Sequence, residues 1–354
     1  MSLERKAVEN SSKPLRDGAG ERALLARIRA RARPPAGRDL TLGIGDDCAL
    51  LRLRPGEEMA VTTDLSIDGR HFRLDWHPPE SVGYRALARG LSDLAAMGAR
   101  PVAAFLSLGL PAELVRNGGA RSAWVDGFLD GFLNLAEAHK VPLAGGDLAE
   151  SPVAIADIVL AGAIARGKAL LRSRARPGDM LYVTGALGGA AAGLRRLEEL
   201  AGALASKPSA KPASFKIPKK LEAALAAHLY PQPRVAQGLA LVRRGLAHAG
   251  IDLSDGLSTD LHHLCEESGV AAEVDAGALH VAAGATLAQA LDGGEDYELL
   301  FSAAPQTRVP RILAGVPVTR IGRVVRRRAG TPVVTLLGTD GPRTLASRGW
   351  EHFS

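Results

Sequence analysis

Cysteine is nearly absent: Cys48 and Cys265 stand far apart, too few for a disulfide scaffold or a zinc cluster. No stretch approaches the ~18–20 consecutive apolar residues of a membrane-spanning helix, and the N-terminus has no signal-type hydrophobic region. A soluble protein of the reducing cytoplasm is the default expectation. Residues 1–20 are polar and without period, and read as a disordered leader. Glu21 to Arg33 has a helical pattern with arginine around most of its circumference. No aromatic residue is interleaved there for base stacking and no binding motif accompanies it, so a solvated face is expected and no nucleic-acid partner.

What is present is a chain of 354 residues, 46% hydrophobic, long enough to bury a core in each of two domains. The net charge of +6 suits a protein that handles anions. Acidic residues recur where hydrophobic segments begin, end or break. The first such corner is Gly43-Ile44-Gly45-Asp46-Asp47. The others are Thr62-Thr63-Asp64, Ser92-Asp93, Gly145-Gly146-Asp147 and Asp252-Leu253-Ser254-Asp255-Gly256. Isolated carboxylates at element ends contribute little to stability. Converging carboxylates suit Mg²⁺, which prefers oxygen ligands and shares them with substrate phosphates.

The spacing from Leu40 to Leu53 predicts a strand with Asp47 on one face and Asp46 and Cys48 on the other. Met59 to Thr63 predicts a strand ending in Asp64, and 68–72 a turn into another strand. Ser81 to Met97 predicts a helix closed by Gly98. Asp93 lies inside that helix against propensity, with Arg89 four residues earlier as a possible pair. Pro101 to Leu110 and Ala154 to Ala165 predict strands, and Arg121 to His139 a helix whose Trp124, Phe128 and Phe132 belong in a core. Residues 162–169 mimic a phosphate loop, but Ala169 replaces the magnesium-holding Ser or Thr and no helix follows, so the motif is rejected.

A second domain is expected from residue 168, after a first over 21–167. Gly185 to Gly189 makes a strand-to-helix turn that could receive an anion or simply allow tight packing. Residues 199–220 read as a flexible insertion. Val235 to Ala249 predicts a helix capped by Gly250, and Asp260 to Ser268 another helix, whose His262, His263 and Cys265 lack a second ligand cluster and read as surface and packing residues.

Six motifs in order carry a resemblance: 43–51, Thr62-Thr63-Asp64 with His71 downstream, 91–99, 145–147, 251–257 and 293–299. Together they resemble the thiamine-monophosphate kinase family, within the superfamily of aminoimidazole ribonucleotide synthetase. The resemblance implies an α+β fold of two domains, with N-terminal sheets pairing across a homodimer. It also implies ATP-dependent phosphorylation of thiamine monophosphate to thiamine diphosphate, by direct in-line transfer assisted by several Mg²⁺ ions. Carried over, the metal ligands fall on Asp47, Thr62, Thr63, Asp64, Asp93, Asp147, Asp252 and Asp255, with Asp93, Asp147 and Asp252 expected to carry catalysis. Nucleotide contacts fall on Gly146, Asp147, Arg172 and Ser254. Substrate contacts fall on His71, Glu295 and Trp350, the tryptophan stacking on a thiamine ring and the glutamate meeting its cationic or amino-bearing part. Siblings remain the alternative, but selenophosphate synthetase would carry a reactive Cys or selenocysteine in a glycine-rich N-terminal loop, and the hydrogenase-maturation protein a C-terminal Cys.

Overall fold

The computed structural model describes residues 21–32, 39–115, 122–205 and 217–351. The expected leader 1–20 and the middle of the expected insertion lie outside them. In chain order, α1 (Glu21–Arg31) precedes β1 (Leu40–Leu42), β2 (Leu50–Leu51), β3 (Glu57–Ile67), α2 (Pro79–Met97), β4 (Arg100–Leu110), α3 (Ala112–Val115) and α4 (Ser122–Ala138). Next come β5 (Leu143–Gly145), β6 (Leu148–Glu150), β7 (Ile155–Ala165), a 3₁₀ turn at Arg172–Arg174, β8 (Met180–Thr184), α5 (Gly189–Ala205) and α6 (Lys219–Leu229). They are followed by α7 (Val235–Arg243), β9 (Ala249–Asp252), α8 (Leu257–Ser268), β10 (Val270–Asp275), α9 (Leu287–Asp292) and β11 (Leu299–Ala303). The last strands are β12 (Ile312–Leu313), β13 (Val316–Arg326), β14 (Val334–Gly338) and β15 (Gly341–Thr344).

Two sheets organise these elements. The first runs β3-β7-β4-β5, with β6 also paired to β4, and the second runs β15-β14-β10-β13-β8-β11-β9. Helix α2 joins them. Its buried Leu87, Leu91 and Leu94 share a core with Ile158 and Leu160 of the first sheet and with Leu299 and Phe301 of the second. The helix ends at Gly98 in the left-handed conformation (φ 69°), whose Schellman-type bonds to Ala95 and Leu94 satisfy the last carbonyls. Trp124, Phe128 and Phe132 are buried in the same core.

Helices α2 and α4 cross almost backbone to backbone. A Cβ on Gly83 would sit 1.8 Å from the Phe128 carbonyl oxygen, and one on Gly131 1.8 Å from that of Glu80. Neither contact can be relieved by a rotamer change. Gly83→Ala is therefore expected to separate the helices and lower stability by about 3 kcal/mol, the upper range for overpacking. Calorimetry checks this, and a wild-type melting temperature would contradict it.

Several expected elements fold differently. Residues 40–53 form two short antiparallel strands, β1 and β2, joined by a loop, and not one long strand. Gly45, at φ 134°, lets the chain turn there, so Asp46, Asp47 and Cys48 are all exposed loop residues and alternation does not select between the aspartates. Residues 68–72 make a turn closed by an isolated bridge, without a following strand. Helix α7 stops at Arg243 because the next turn closes at Gly245 (φ 59°), with Leu246 N–H donating to Leu241; Gly250 belongs to β9. The expected insertion is shorter than 199–220, since α5 continues to Ala205 and α6 begins at Lys219. Helix α1 is not simply solvated: Arg27 pairs with Asp126 at 3.0 Å, and Arg31 with Asp126 and Asp130 of α4.

Candidate functional site

The site begins with strand alternation in β3. Thr62 and Asp64 point toward α2, while Met59, Val61, Thr63 and Leu65 point the other way. Asp93, one turn before the end of α2, meets them there and accepts a hydrogen bond from the Thr62 hydroxyl. The second sheet delivers Asp252 at the end of β9, where it accepts a 2.6 Å bond from Ser92. Asp93 therefore sits in its helix for a tertiary reason. Arg89 makes its close ion pair with Asp64, at 3.6 Å, while its charge also acts on Asp93.

Electrostatics mark this cluster. Burial, followed by the charge of Asp93, pushes the Asp64 carboxyl up to about 7. Burial and then Asp93 do the same for Asp252, also to about 7. Asp93 is raised chiefly by burial, with the Thr62 hydrogen bond and the Arg172 guanidinium opposing. Among the described residues, the buried Asp64 Oδ2 has no hydrogen-bond partner. One buried and two half-buried carboxylates that repel one another, with an orphaned oxygen, constitute a hard-oxygen donor set that a cation would stabilise.

A cavity of about 510 Å³ opens from this cluster. Asp64, Asp93, Asp252, Ser254 and Asp255 line it together with His71, Glu295 and Trp350. Non-local bonds shape its mouth: Trp350 N–H donates to the Asp255 carbonyl at 3.1 Å, and Glu295 N–H to that of Ser254 at 2.7 Å. Glu295 and Tyr297 hold left-handed backbones (φ 66° and 50°), which the surrounding bonds impose at a cost of order 1–3 kcal/mol each. Arg172, in the 3₁₀ turn, is close enough to offset the shifts of both Asp93 and Asp252.

Other expected ligands lie elsewhere in the chain. Thr63 faces away from α2. Asp47 is on the exposed β1–β2 loop, and Gly146 and Asp147 are exposed at the β5–β6 corner. Strand order separates that corner from β3 by three strand positions, roughly 14 Å at the usual spacing.

The glycine turn at 185–189 is filled by a carboxyl of the chain's own, which burial raises to about 7. Asp296 accepts the Gly188 and Ala190 amides, at 2.6 and 3.1 Å, at the start of α5. Asp255, Asp260 and His263 lie within 4.8 Å of one another, and Asp260 accepts the amides of Asp255 and Gly256 at 3.1 Å, with burial raising its carboxyl to about 8. The sequence reading missed Arg85 and His228, which approach Glu295, and Trp76 and His77, which line the same cavity. Arg85, Arg89 and Asp93 at four-residue spacing, charged positions in an otherwise apolar helix, were the available signal.

Comparison with known proteins identifies the family. Residues 45–168 match the family described as AIR synthase related protein, N-terminal domain, and residues 176–335 its C-terminal domain. The thiamine-monophosphate kinase of Escherichia coli (strain K12) is 38% identical over 348 residues, covering 95% of this chain and 98% of that protein. That of Synechococcus elongatus is 32% identical over 88% of this chain and 91% of its own. Among solved structures, thiamine-monophosphate kinase from Stenotrophomonas maltophilia K279a superposes with a TM-score of 0.73 at 38% identity, covering 91% and 96% of the two chains. The structure described as AaThiL complexed with AMPPCP and TMP superposes with a TM-score of 0.70 at 27% identity, over 97% and 100%. Hydrogenase maturation protein HypE in complex with ATP, at 20% identity and TM-score 0.68, shares the fold. The chain belongs to the thiamine-monophosphate kinase family of AIR synthase related proteins.

Proposed function

We propose that the chain transfers the γ-phosphoryl group of ATP to the phosphate of thiamine monophosphate, giving thiamine diphosphate and ADP. The observation that carries this is the convergence of Asp64, Asp93, Asp252 and Asp255 on the cavity that Glu295 and Trp350 also line. The acceptor phosphate already bears an anionic oxygen, so no side chain need remove a proton. The chemical problem is repulsion between two polyanions. Bound Mg²⁺ would supply neutralisation of that charge, held by Asp64, Asp93, Asp252 and Asp255 with Thr62 supporting Asp93. In this reading Ser254 and Arg172 meet the nucleotide, Trp350 stacks on a ring of thiamine, and His71 and Glu295 orient it. We infer direct in-line transfer without a phosphorylated protein.

The reading extends to a homodimer. Met59, Val61 and Leu65 are 46%, 59% and 45% exposed along one face of β3, too large an apolar row to face water without purpose. Asp47 and Asp147 are remote from the carboxylate cluster of their own chain, which favours a site completed across this face. Among the described residues no helix is long and apolar enough to cross a membrane. We place the reaction in the cytoplasm.

The test is product identity. Incubated with Mg-ATP, the protein is expected to yield thiamine diphosphate from thiamine monophosphate and nothing from thiamine or aminoimidazole precursors, as read by mass spectrometry. Product from either of the latter, or label trapped on the protein after rapid quench of γ-labelled ATP, contradicts the assignment or its mechanism.

A further inference from the structure

Behind Glu295 lies a buried pair of histidines. His77 and His228 are 4% and 2% exposed, and their Nε2 atoms face each other at 3.1 Å. On the far side of His77, Nδ1 is 3.1 Å from the backbone N–H of Arg73. On the far side of His228, Nδ1 faces Glu295 Oε2 across 3.5 Å without hydrogen-bond geometry, and among the described residues this nitrogen makes no hydrogen bond. Arg85, itself 5% exposed, grips both Glu295 oxygens at 2.5 and 2.7 Å.

These contacts fix the protons. A backbone amide can only donate, so His77 Nδ1 must present its lone pair and His77 carries its hydrogen on Nε2. Two facing Nε2 atoms can share only one hydrogen. His228 Nε2 is therefore the acceptor, and its own hydrogen sits on Nδ1, aimed at Glu295. An imidazolium at either ring would set two N–H groups against each other. Burial, with the Arg85 charge next, holds His77 down to about 3 and His228 well below the ordinary value, consistent with two neutral rings.

We infer that His77 and His228 are positioning residues for Glu295: a one-way relay of hydrogen bonds from the Arg73 amide fixes both tautomers and aims the His228 Nδ1–H at the carboxylate from 3.5 Å, holding it toward the cavity. The inference rests on the substrate role of Glu295 proposed above. Arg85 occupies one acceptor position on each carboxylate oxygen. The remaining ones face the cavity as acceptors only, selecting a ligand with a cationic ring or an amino donor. The left-handed backbone of Glu295 serves the same orientation.

Two measurements on the full chain test this. Long-range ¹H–¹⁵N NMR at pH 7, assigned with His77→Gln and His228→Asn variants, is expected to show His77 protonated on Nε2 and His228 on Nδ1. The opposite tautomer of His228, or an imidazolium at either ring, overturns the relay whatever the enzyme's activity. In kinetics, His228→Leu removes the N–H that faces Glu295 and is expected to raise KM for thiamine monophosphate about tenfold as the carboxylate loses its orientation, with KM for ATP unchanged. His228→Asn, which restores a donor at the Nδ1 position, should recover most of that loss. Unchanged KM in His228→Leu overturns the positioning role. Wild-type protein without thiamine-monophosphate kinase activity would sink the functional assignment instead, while the NMR result still decides the relay.

Discussion

Asp252→Asn is expected to make the metal-free protein more stable and, with Mg-ATP and thiamine monophosphate, at least ~100-fold slower in kcat, the scale for removing one electrostatic group from a preorganised site. The two effects have one cause. Asp252 is 2% exposed and faces the charge of Asp93, so its carboxyl is raised from 3.8 to about 7 in the folded chain. A raised carboxylate pKa means that the folded state binds the proton more tightly than the unfolded state. Its contribution to stability is complete below about pH 4 and is lost as pH rises through about 7. Ionised Asp252 therefore opposes folding at pH 8. A displacement of about three pH units corresponds to roughly 4 kcal/mol at most, and sharing of the shift with Asp93 brings the expected gain on neutralisation to about 2 kcal/mol. Asparagine keeps an acceptor for the Ser92 hydroxyl, so the fold is retained.

Chemical denaturation in chelator at pH 5 and pH 8 reads this directly. The stability advantage of the variant should grow with pH and level off above about 7. Wild-type protein should gain stability from added Mg²⁺ and the variant much less, because ligand that binds only the folded state stabilises it by mass action. A variant less stable than wild type at pH 8 in chelator would show that the three carboxylates are not in mutual conflict, and the argument for a cation site would lose its basis.

The sequence disclosed α2 and the anomaly within it. Its apolar spacing and Gly98 defined the helix, and Asp93 stood out because propensity does not place aspartate there. The reason for Asp93 was not legible, since its partners Thr62 and Asp252 come from a strand before the helix and a strand in the other sheet. Glycine misled in both directions. Gly45 broke an alternating pattern that looked continuous, and the turn at 185–189 looked open to a ligand although Asp296, more than a hundred residues later, fills it. The histidine pair is similarly non-local, with 151 positions between its members. Short-range patterns registered the elements. The site is made where those elements meet, and only the resemblance to a family carried that information.

Val61→Arg is expected to yield a folded monomer that has lost almost all activity. Along β3, Val61 sits between Met59 and Leu65 on the face turned away from α2, and it is the most exposed of the three at 59%. A guanidinium there costs nothing in an isolated chain, where it reaches water. In a dimer closed over this face it would be buried without a partner, a penalty of several kcal/mol per chain and so a rise in Kd of at least ~100-fold. The same strand turns Thr62 and Asp64 inward to the carboxylate cluster, so the proposed interface and the site would share one backbone, and separating the copies would remove whatever a second copy contributes near Asp47 and Asp147. Light scattering gives the mass, circular dichroism the fold, and turnover the consequence. A monomeric variant with wild-type kcat would show that each chain carries a complete site. A Val61→Arg protein that stays dimeric would show that the copies meet elsewhere. The expected result, loss of dimer and turnover together with retained secondary structure, would follow only if the bare face of β3 is where the second copy sits.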